Sequence, residues 1–386
     1  MEKTSELLIY LMACSLQGTK PDGALFANID LEALLRLAKA HSVSAMVCMA
    51  LEQTDEFQHA AETTRLKWLD SKNKAVRKNV LLDAERASLE KEFAEHGIWY
   101  MPLKGSILKD WYPRYGMREM ADNDILFDET KREQVNEIFL QRGYTVKSYA
   151  RSNHDVYVKP PIFNFEMHIA LFSDSTYETL AAKYADVKER LLPDEGKKYR
   201  FHFTAEDFYV FVLAHAYKHY SHSGTGIRTL ADIYVMNQKV GSSMDWKYVE
   251  HELNNMGIQT YEQRSRILAD KIFGSGKSLA QLALTQEEQE MLDYYLGAST
   301  YGNAENRVVN RLHFLQEGKG TITGFTRFRY CVERLFPSRK WCKDNYPVVY
   351  RFPLLLPGFW VWRLCVKLPQ NRKKVQHELA ALKTSK

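Results

Sequence analysis

The chain is poor in cysteine, and the five it has, Cys14, Cys48, Cys331, Cys342 and Cys365, are scattered, odd in number and form no Cys-x-x-Cys pair. That argues against a disulfide framework and a cysteine-based zinc site, and it points to a reducing cytoplasm. Also missing are the Gly-x-x-x-x-Gly-Lys-Ser/Thr phosphate loop, the Gly-x-Gly-x-x-Gly dinucleotide turn and the Gly-x-Ser-x-Gly elbow. P-loop, dinucleotide and serine-hydrolase chemistries are left without their usual machinery. No uninterrupted apolar run approaches the roughly 20 residues of a transmembrane helix. The apolar, aromatic stretch Phe352 to Leu368 is broken by Pro353, Pro357 and Arg363. It is expected to be a packed C-terminal core helix, with an interfacial position at a membrane as the alternative. At the N-terminus the apolar run Leu7 to Met12 is short, and Glu2 and Glu6 deny it a positive leader, so an amphipathic first helix is expected rather than a signal peptide. There is no internal repeat or low-complexity segment.

What is present begins with charge. The formal net charge is +5, but residues 318–386 hold fifteen Lys and Arg against three acidic residues, a net of +12, leaving −7 for the rest. A basic C-terminal region points to a polyanion, either nucleic acid, an anionic membrane surface or a phosphorylated substrate. A cytoplasmic protein, with a peripheral membrane position left open, fits these features.

Periodicity divides the chain into four parts. Residues 1–96 read as helical, with Leu31, Leu34, Leu35 and Ala38 at helical spacing. A run from about Glu56 to Ala94 without Pro or Gly reads as one or two long helices whose many charges form a solvated face. Residues 97–203 change character. Strands are expected at Ile98–Met101, Ala121–Phe127, Tyr144–Ala150, Asp155–Lys159 and Ile162–Leu171, a turn at Lys104-Gly105-Ser106, and helices at Ile107–Trp111 and Lys131–Arg142. Residues 204–317 return to helices, clearest at Ala205–Tyr220, Ile227–Gln238, Trp246–Asn255 and Tyr261–Phe273. Residues 318–386 form the basic helical end. The fold class is α+β and predominantly helical, with a small mixed sheet.

The chemistry concentrates in the sheet region. Alternation along a strand puts Asp122 and Asp124 on one face, and adjacent carboxylates repel each other unless a cation bridges them. In Phe163-Asn164-Phe165-Glu166-Met167-His168-Ile169 the apolar residues form one face, and Glu166 and His168 share the other. A third carboxylate can complete a site for two divalent ions. Gly105 lets the backbone approach a phosphate, Ser106 offers a hydroxyl at a helix start, and Lys104 offers a balancing charge. His215 and His219 lie four apart on one helix, but no zincin glutamate follows His215, so a structural or substrate-contacting role is favoured over zinc. Lys218, Arg228 and Asp232 come from the same pair of helices. Arg228 is a candidate phosphate contact, with Asp232 as its partner.

Leu103-Lys104-Gly105, Tyr112-Pro113, Arg118, Asp122-x-Asp124-Ile125-Leu126, Gly143-Tyr144, Glu166-x-His168, His215, His219 and Asp232 together resemble the uncharacterised nucleotidyltransferase family, related to the polymerase-beta-like nucleotidyltransferase superfamily. The chain departs from that pattern at Asn123, where an apolar residue is usual, and at Phe127, where a smaller aliphatic one is. The resemblance implies a Gly-Ser phosphate turn at Gly105-Ser106, metal ligands at Asp122, Asp124 and Glu166, and Mg²⁺ or Mn²⁺ as cofactor. The reaction expected is transfer of a nucleoside monophosphate from a nucleoside triphosphate to an acceptor, with loss of pyrophosphate. Lys104, Gly105, Ser106, Arg118 and Arg228 are the expected nucleotide contacts. The acceptor, whether sugar phosphate, glycolipid, protein or small molecule, is open. An RNA acceptor such as a tRNA end, or a non-catalytic nucleotide-binding scaffold, are the alternatives.

Overall fold

A computed structural model describes residues 2–26, 29–173, 178–300, 302–316 and 322–384 of the protein. Among the described residues, seven strands form one mixed sheet: β1 (Tyr100–Pro102), β2 (Asn123–Phe127), β3 (Thr145–Ser148), β4 (His154–Lys159), β5 (Phe163–His168), β6 (Leu192–Asp194) and β7 (Lys197–His202). Their order is β3-β4-β5-β2-β1-β7-β6. β2 runs antiparallel to β1 and parallel to β5, while β3, β4 and β5 form an antiparallel meander. Helices dominate the rest, so the protein is α+β and predominantly helical. The β6–β7 hairpin was not expected. Its Lys197-Lys198-Tyr199-Arg200 run is largely polar and carries little of the apolar alternation by which strands are recognised.

The alternation of β2 and β5 explains how the sheet is covered. Ile125, Phe127, Phe165 and Met167 point to one face, where Leu89 and Phe93 of helix Glu62–Glu95 and Val135, Ile138 and Phe139 of helix Arg132–Gln141 pack on them. On the other face Leu126, with Met101 and Leu103 at the end of β1, enters the largest core, shared with helices Lys3–Gln17, Ala205–Tyr220 and Arg228–Val240. Asp124, Glu166 and His168 share this second face. They therefore emerge where the sheet meets the helices of residues 205–240.

Glu62–Glu95 is one 34-residue helix, and its charges are not simply solvated. Asn79 Nδ2 donates to the Arg118 carbonyl at 2.9 Å, and its Oδ1 accepts from Met120 N at 3.2 Å. Lys78 Nζ donates to the Ala121 carbonyl at 2.9 Å, and Arg86 Nη1 donates to Asn123 Oδ1 at 3.0 Å. The expected solvated face is thus corrected at Lys78, because backbone groups in the loop before β2 need partners that the sheet does not supply, and at Arg86, which meets the buried Asn123 side chain. For the same reason the strand begins at Asn123 rather than Ala121, and Asp122 lies in the loop just ahead of it. Asn123, buried on the face turned toward this helix, is fully engaged, since its Nδ2 also donates to the Leu82 carbonyl at 3.1 Å.

The C-terminal expectation is overturned. The apolar stretch opens with a turn at Pro353–Leu355 and then runs as a helix from Leu356, with Pro357 in its first turn, through a π-helical segment at Arg363–Lys367 to Gln370. Phe359 is its one buried apolar side chain, whereas Leu354 is 95% exposed. A small separate core of Val308, Leu312, Leu315, Ile322, Tyr330 and Ala381 holds this part of the chain.

His41, which follows helix Leu31–Ala40, is buried beside the loop that precedes helix Arg228–Val240 and accepts from Ile227 N at 3.4 Å. Burial pulls its imidazole from the ordinary value down to about 4. Because the folded value lies below the unfolded one, its contribution to stability is full above about pH 6.5 and is lost as pH falls toward 4. Between pH 7 and pH 5 this single group is expected to remove about 2 kcal/mol. Urea denaturation at the two pH values should show that loss in the wild type and a smaller one in His41→Gln, whereas equal losses would contradict the assignment.

Candidate active site

The parallel register of β2 and β5 sets Asp124 directly beside Glu166 and Leu126 beside His168. His168 Nε2 donates to Asp124 Oδ1 at 2.8 Å, and Lys104 Nζ approaches the same oxygen at 3.0 Å. Oδ1 is therefore doubly engaged. Oxygens of Asp124 and Glu166 and a ring nitrogen of His168 all lie within 4.8 Å of one another, a group able to hold a metal ion. Asp122 is half-buried in the loop just ahead of β2 and interacts electrostatically with Asp124.

The electrostatics show an excess of negative charge at this point. Burial raises the Asp122 carboxyl above its ordinary value, and the Asp124 charge raises it further. Burial, then the charges of Asp124 and Asp122, push Glu166 up to about 7. Asp124 goes the other way, because the Lys104 charge and the His168 hydrogen bond outweigh its burial and hold it below the carboxylate range. Burial keeps His168 neutral, so the proton on Nε2 faces Asp124, and its buried Nδ1 has no hydrogen-bond partner among the described residues. That proton makes His168 a residue that orients Asp124, and the oxygen donors suit a hard cation of the Mg²⁺ or Mn²⁺ type. Two carboxyl groups whose ionisation is opposed are what a divalent ion would relieve.

Lys104 sits at the junction. Its backbone has φ +44° and ψ −110°, a strained conformation for a residue with a side chain, and the helical turn Gly105–Leu108 starts directly after it. Its ammonium bridges Asp124 and His215, whose Nε2 lies 3.2 Å away. His219 Nε2 is in turn 3.3 Å from His215 Nε2. Burial, then the Lys104 and His219 charges, hold His215 well below the ordinary value, and burial followed by the Lys218 charge takes His219 down to about 4. Among the described residues the two histidines join no metal-ligating group. They extend a polar chain from helix Ala205–Tyr220 to the carboxylates. Lys218, lowered by burial and the Lys104 charge to about 8, also feels Asp124 and Glu166.

Other expected contacts are placed differently. Ser106 is buried, with its hydroxyl donating to the Leu103 carbonyl at 2.7 Å. The space a Cβ on Gly105 would take is filled by Arg118, whose Nη1 would stand 2.4 Å from it, and by Met120. Arg118 is itself committed, with Nε and Nη2 donating to Asp232 at 2.7 and 3.0 Å, and Tyr112 Oη donates to Asp232 Oδ1 at 2.7 Å. Asp232 thus pairs with Arg118 rather than with Arg228. Arg228 Nη1 donates to the Glu119 carbonyl at 3.1 Å.

Beside this loop lies a cavity of about 320 Å³ whose walls include Lys39, Lys74, Lys78 and Arg228 among the cations and Asp70 and Glu119 as the acids. Asp70 is paired with Lys74 at 2.7 Å, and Glu119 accepts from Ser44 Oγ and Ala45 N. The lining is therefore net positive next to Asp122. Sequence reasoning missed this cavity, as it missed His154 of β4, whose Nε2 lies 4.0 Å from Glu166. The spacing of Lys74 and Lys78, one helical turn apart, was the available signal, hidden among the many charges of their helix.

A family profile described as "Uncharacterised nucleotidyltransferase" matches residues 27–274, a span that holds the carboxylates, Lys104, the Arg118–Asp232 pair and the cationic cavity. No curated protein and no solved structure matches the chain.

Replacing Arg118 by Met leaves Asp232 buried without its cation, and breaking a buried pair from one side costs about 3 to 5 kcal/mol. Arg118→Met/Asp232→Leu, which removes both charges, is expected to be less destabilised than Arg118→Met alone. Urea unfolding of the three proteins checks this, and a single variant as stable as wild type would show that the pair is not structural.

Proposed function

The chain belongs to the uncharacterised nucleotidyltransferase family, and from that membership and the site geometry we propose that it transfers a nucleoside monophosphate from a nucleoside triphosphate to an acceptor with a nucleophilic oxygen. The observation that carries this reading is the pairing of Asp124 with Glu166 across β2 and β5, with Asp122 adjacent and Lys104 balancing the charge. Asp122, Asp124 and Glu166 would hold Mg²⁺ or Mn²⁺, which when bound neutralises triphosphate charge and polarises the α-phosphoryl group. His168 keeps Asp124 oriented, and Lys104 supplies positive charge at the same oxygen.

In the reaction the acceptor oxygen attacks the α-phosphorus and forms a new P–O bond. The bond to the β-phosphate breaks and pyrophosphate leaves. Glu166, ionised once the divalent ion is held, would assist removal of the acceptor proton. Ser106 supports the turn from within rather than offering its hydroxyl to phosphate, and Arg118 holds the loop to helix Arg228–Val240 through Asp232. The cationic cavity walled by Lys39, Lys78 and Arg228 receives phosphate, either the triphosphate tail or a phosphorylated acceptor. An acceptor such as a sugar phosphate or glycolipid fits that lining.

Transfer of label from α-labelled nucleoside triphosphates into cell extract tests the proposal. Wild type is expected to label an acceptor in a divalent-ion-dependent way, with Asp124→Asn and Glu166→Gln each reduced on the order of 100-fold or more. Labelling of equal intensity by wild type and both variants would exclude catalysis by these carboxylates.

A further inference from the structure

Helix Gly324–Leu335 has two opposed faces. Thr326 and Tyr330 are buried, Tyr330 within the small C-terminal core. The other side carries Phe325, Phe328 and Val332 and continues at Phe336, with exposures of 73, 64, 38 and 40%. Spacings of three, four and four make these four residues one stripe along the helix. The Phe336 ring packs edge-on against Trp360 at 5.6 Å, and Arg363 Nη1 donates to the Leu335 carbonyl at 3.3 Å. The apolar stripe is thereby tied to the segment in which Leu354 is 95% and Trp362 40% exposed. Soluble monomers rarely expose large apolar groups in such a series, and here they alternate with cations. Arg351 lies over Phe352 and Lys367 over Trp362, at 5.9 and 5.5 Å.

We propose that this C-terminal face docks on the surface of an anionic lipid bilayer. Phe325, Phe328, Val332 and Leu354 enter the acyl boundary, and Arg351 and Lys367 meet headgroup phosphates. The net charge of +12 in residues 318–386 selects an anionic surface. It also disfavours a second copy of the chain, which would bring the same charge to the contact. RNA would use the cations and stack on rings, but it offers nothing to bury Leu354 or Val332. None of the described helices is long and apolar enough to cross a membrane, so the segment lies on the surface. The docking surface stands on its own observations and does not depend on nucleotidyl transfer.

The test is co-sedimentation of the full chain with vesicles of phosphatidylcholine alone and of phosphatidylcholine mixed with phosphatidylglycerol. Wild type is expected to bind the mixed vesicles and to release them as salt rises. Phe328→Ser/Leu354→Ser, at exposed positions that should leave the circular dichroism spectrum unchanged, is expected to weaken binding about ten-fold or more. Arg351→Glu/Lys367→Glu is expected to abolish the preference for phosphatidylglycerol. Failure of wild type to bind the mixed vesicles, or undiminished binding by the serine variant, would overturn the proposal. So would a serine variant that loses self-association in light scattering, or retention of polyuridine RNA, while vesicle binding is unchanged.

Discussion

Everything in the site depends on gathering carboxylates at a partly buried point and then not fully neutralising them. Lys104 and His168 satisfy one oxygen of Asp124 and hold that group ionised, while burial and mutual repulsion oppose ionisation of Asp122 and Glu166. A purely structural cluster would be expected to pair each carboxylate, as Asp232 is paired with Arg118 and Tyr112 a short distance away. The contrast between the satisfied Asp232 and the frustrated Glu166 separates scaffold from site within one loop and two helices.

That arrangement is held by an unusual division of labour. The loop before β2 gains little from the sheet, and the long helix Glu62–Glu95 supplies its partners through Lys78 and Asn79 and holds the start of β2 through Arg86 and Asn123. Helix Arg228–Val240 fastens the other side through Asp232 to Arg118 and through Arg228 to the Glu119 carbonyl. Gly105 is needed because Arg118 occupies the space where a side chain would project. Preorganisation of the acidic loop thus comes from helices that precede and follow the sheet in sequence.

Much of this was legible in the chain itself. Alternation in Phe163–His168 correctly placed Glu166 and His168 together, and the helices Ala205–Tyr220 and Trp246–Asn255 were readable to the residue, each opening on a capping side chain, Thr204 and Asp245. Long-range polar pairing was not legible. Nothing local indicates that Arg118 would choose Asp232 over a phosphate, that Ser106 would turn to Leu103, or that Lys78 would reach a loop more than forty residues away. The stretch Phe352–Leu368 misled for a related reason. Apolar composition reports a preference for burial, but the helix that forms, from Leu356 through a π-helical segment at Arg363–Lys367 to Gln370, meets too little of the core to bury its apolar side chains.

The central claim is that Asp124 and Glu166 form a cation site completed by Asp122. Electron paramagnetic resonance of Mn²⁺ titrated into the protein near pH 7.5 tests it most directly. Saturable binding by wild type that tightens when a nucleoside triphosphate is present is expected, with loss of that binding in Asp124→Asn/Glu166→Gln while the fold stays intact. Equal Mn²⁺ binding by wild type and the double variant would contradict it.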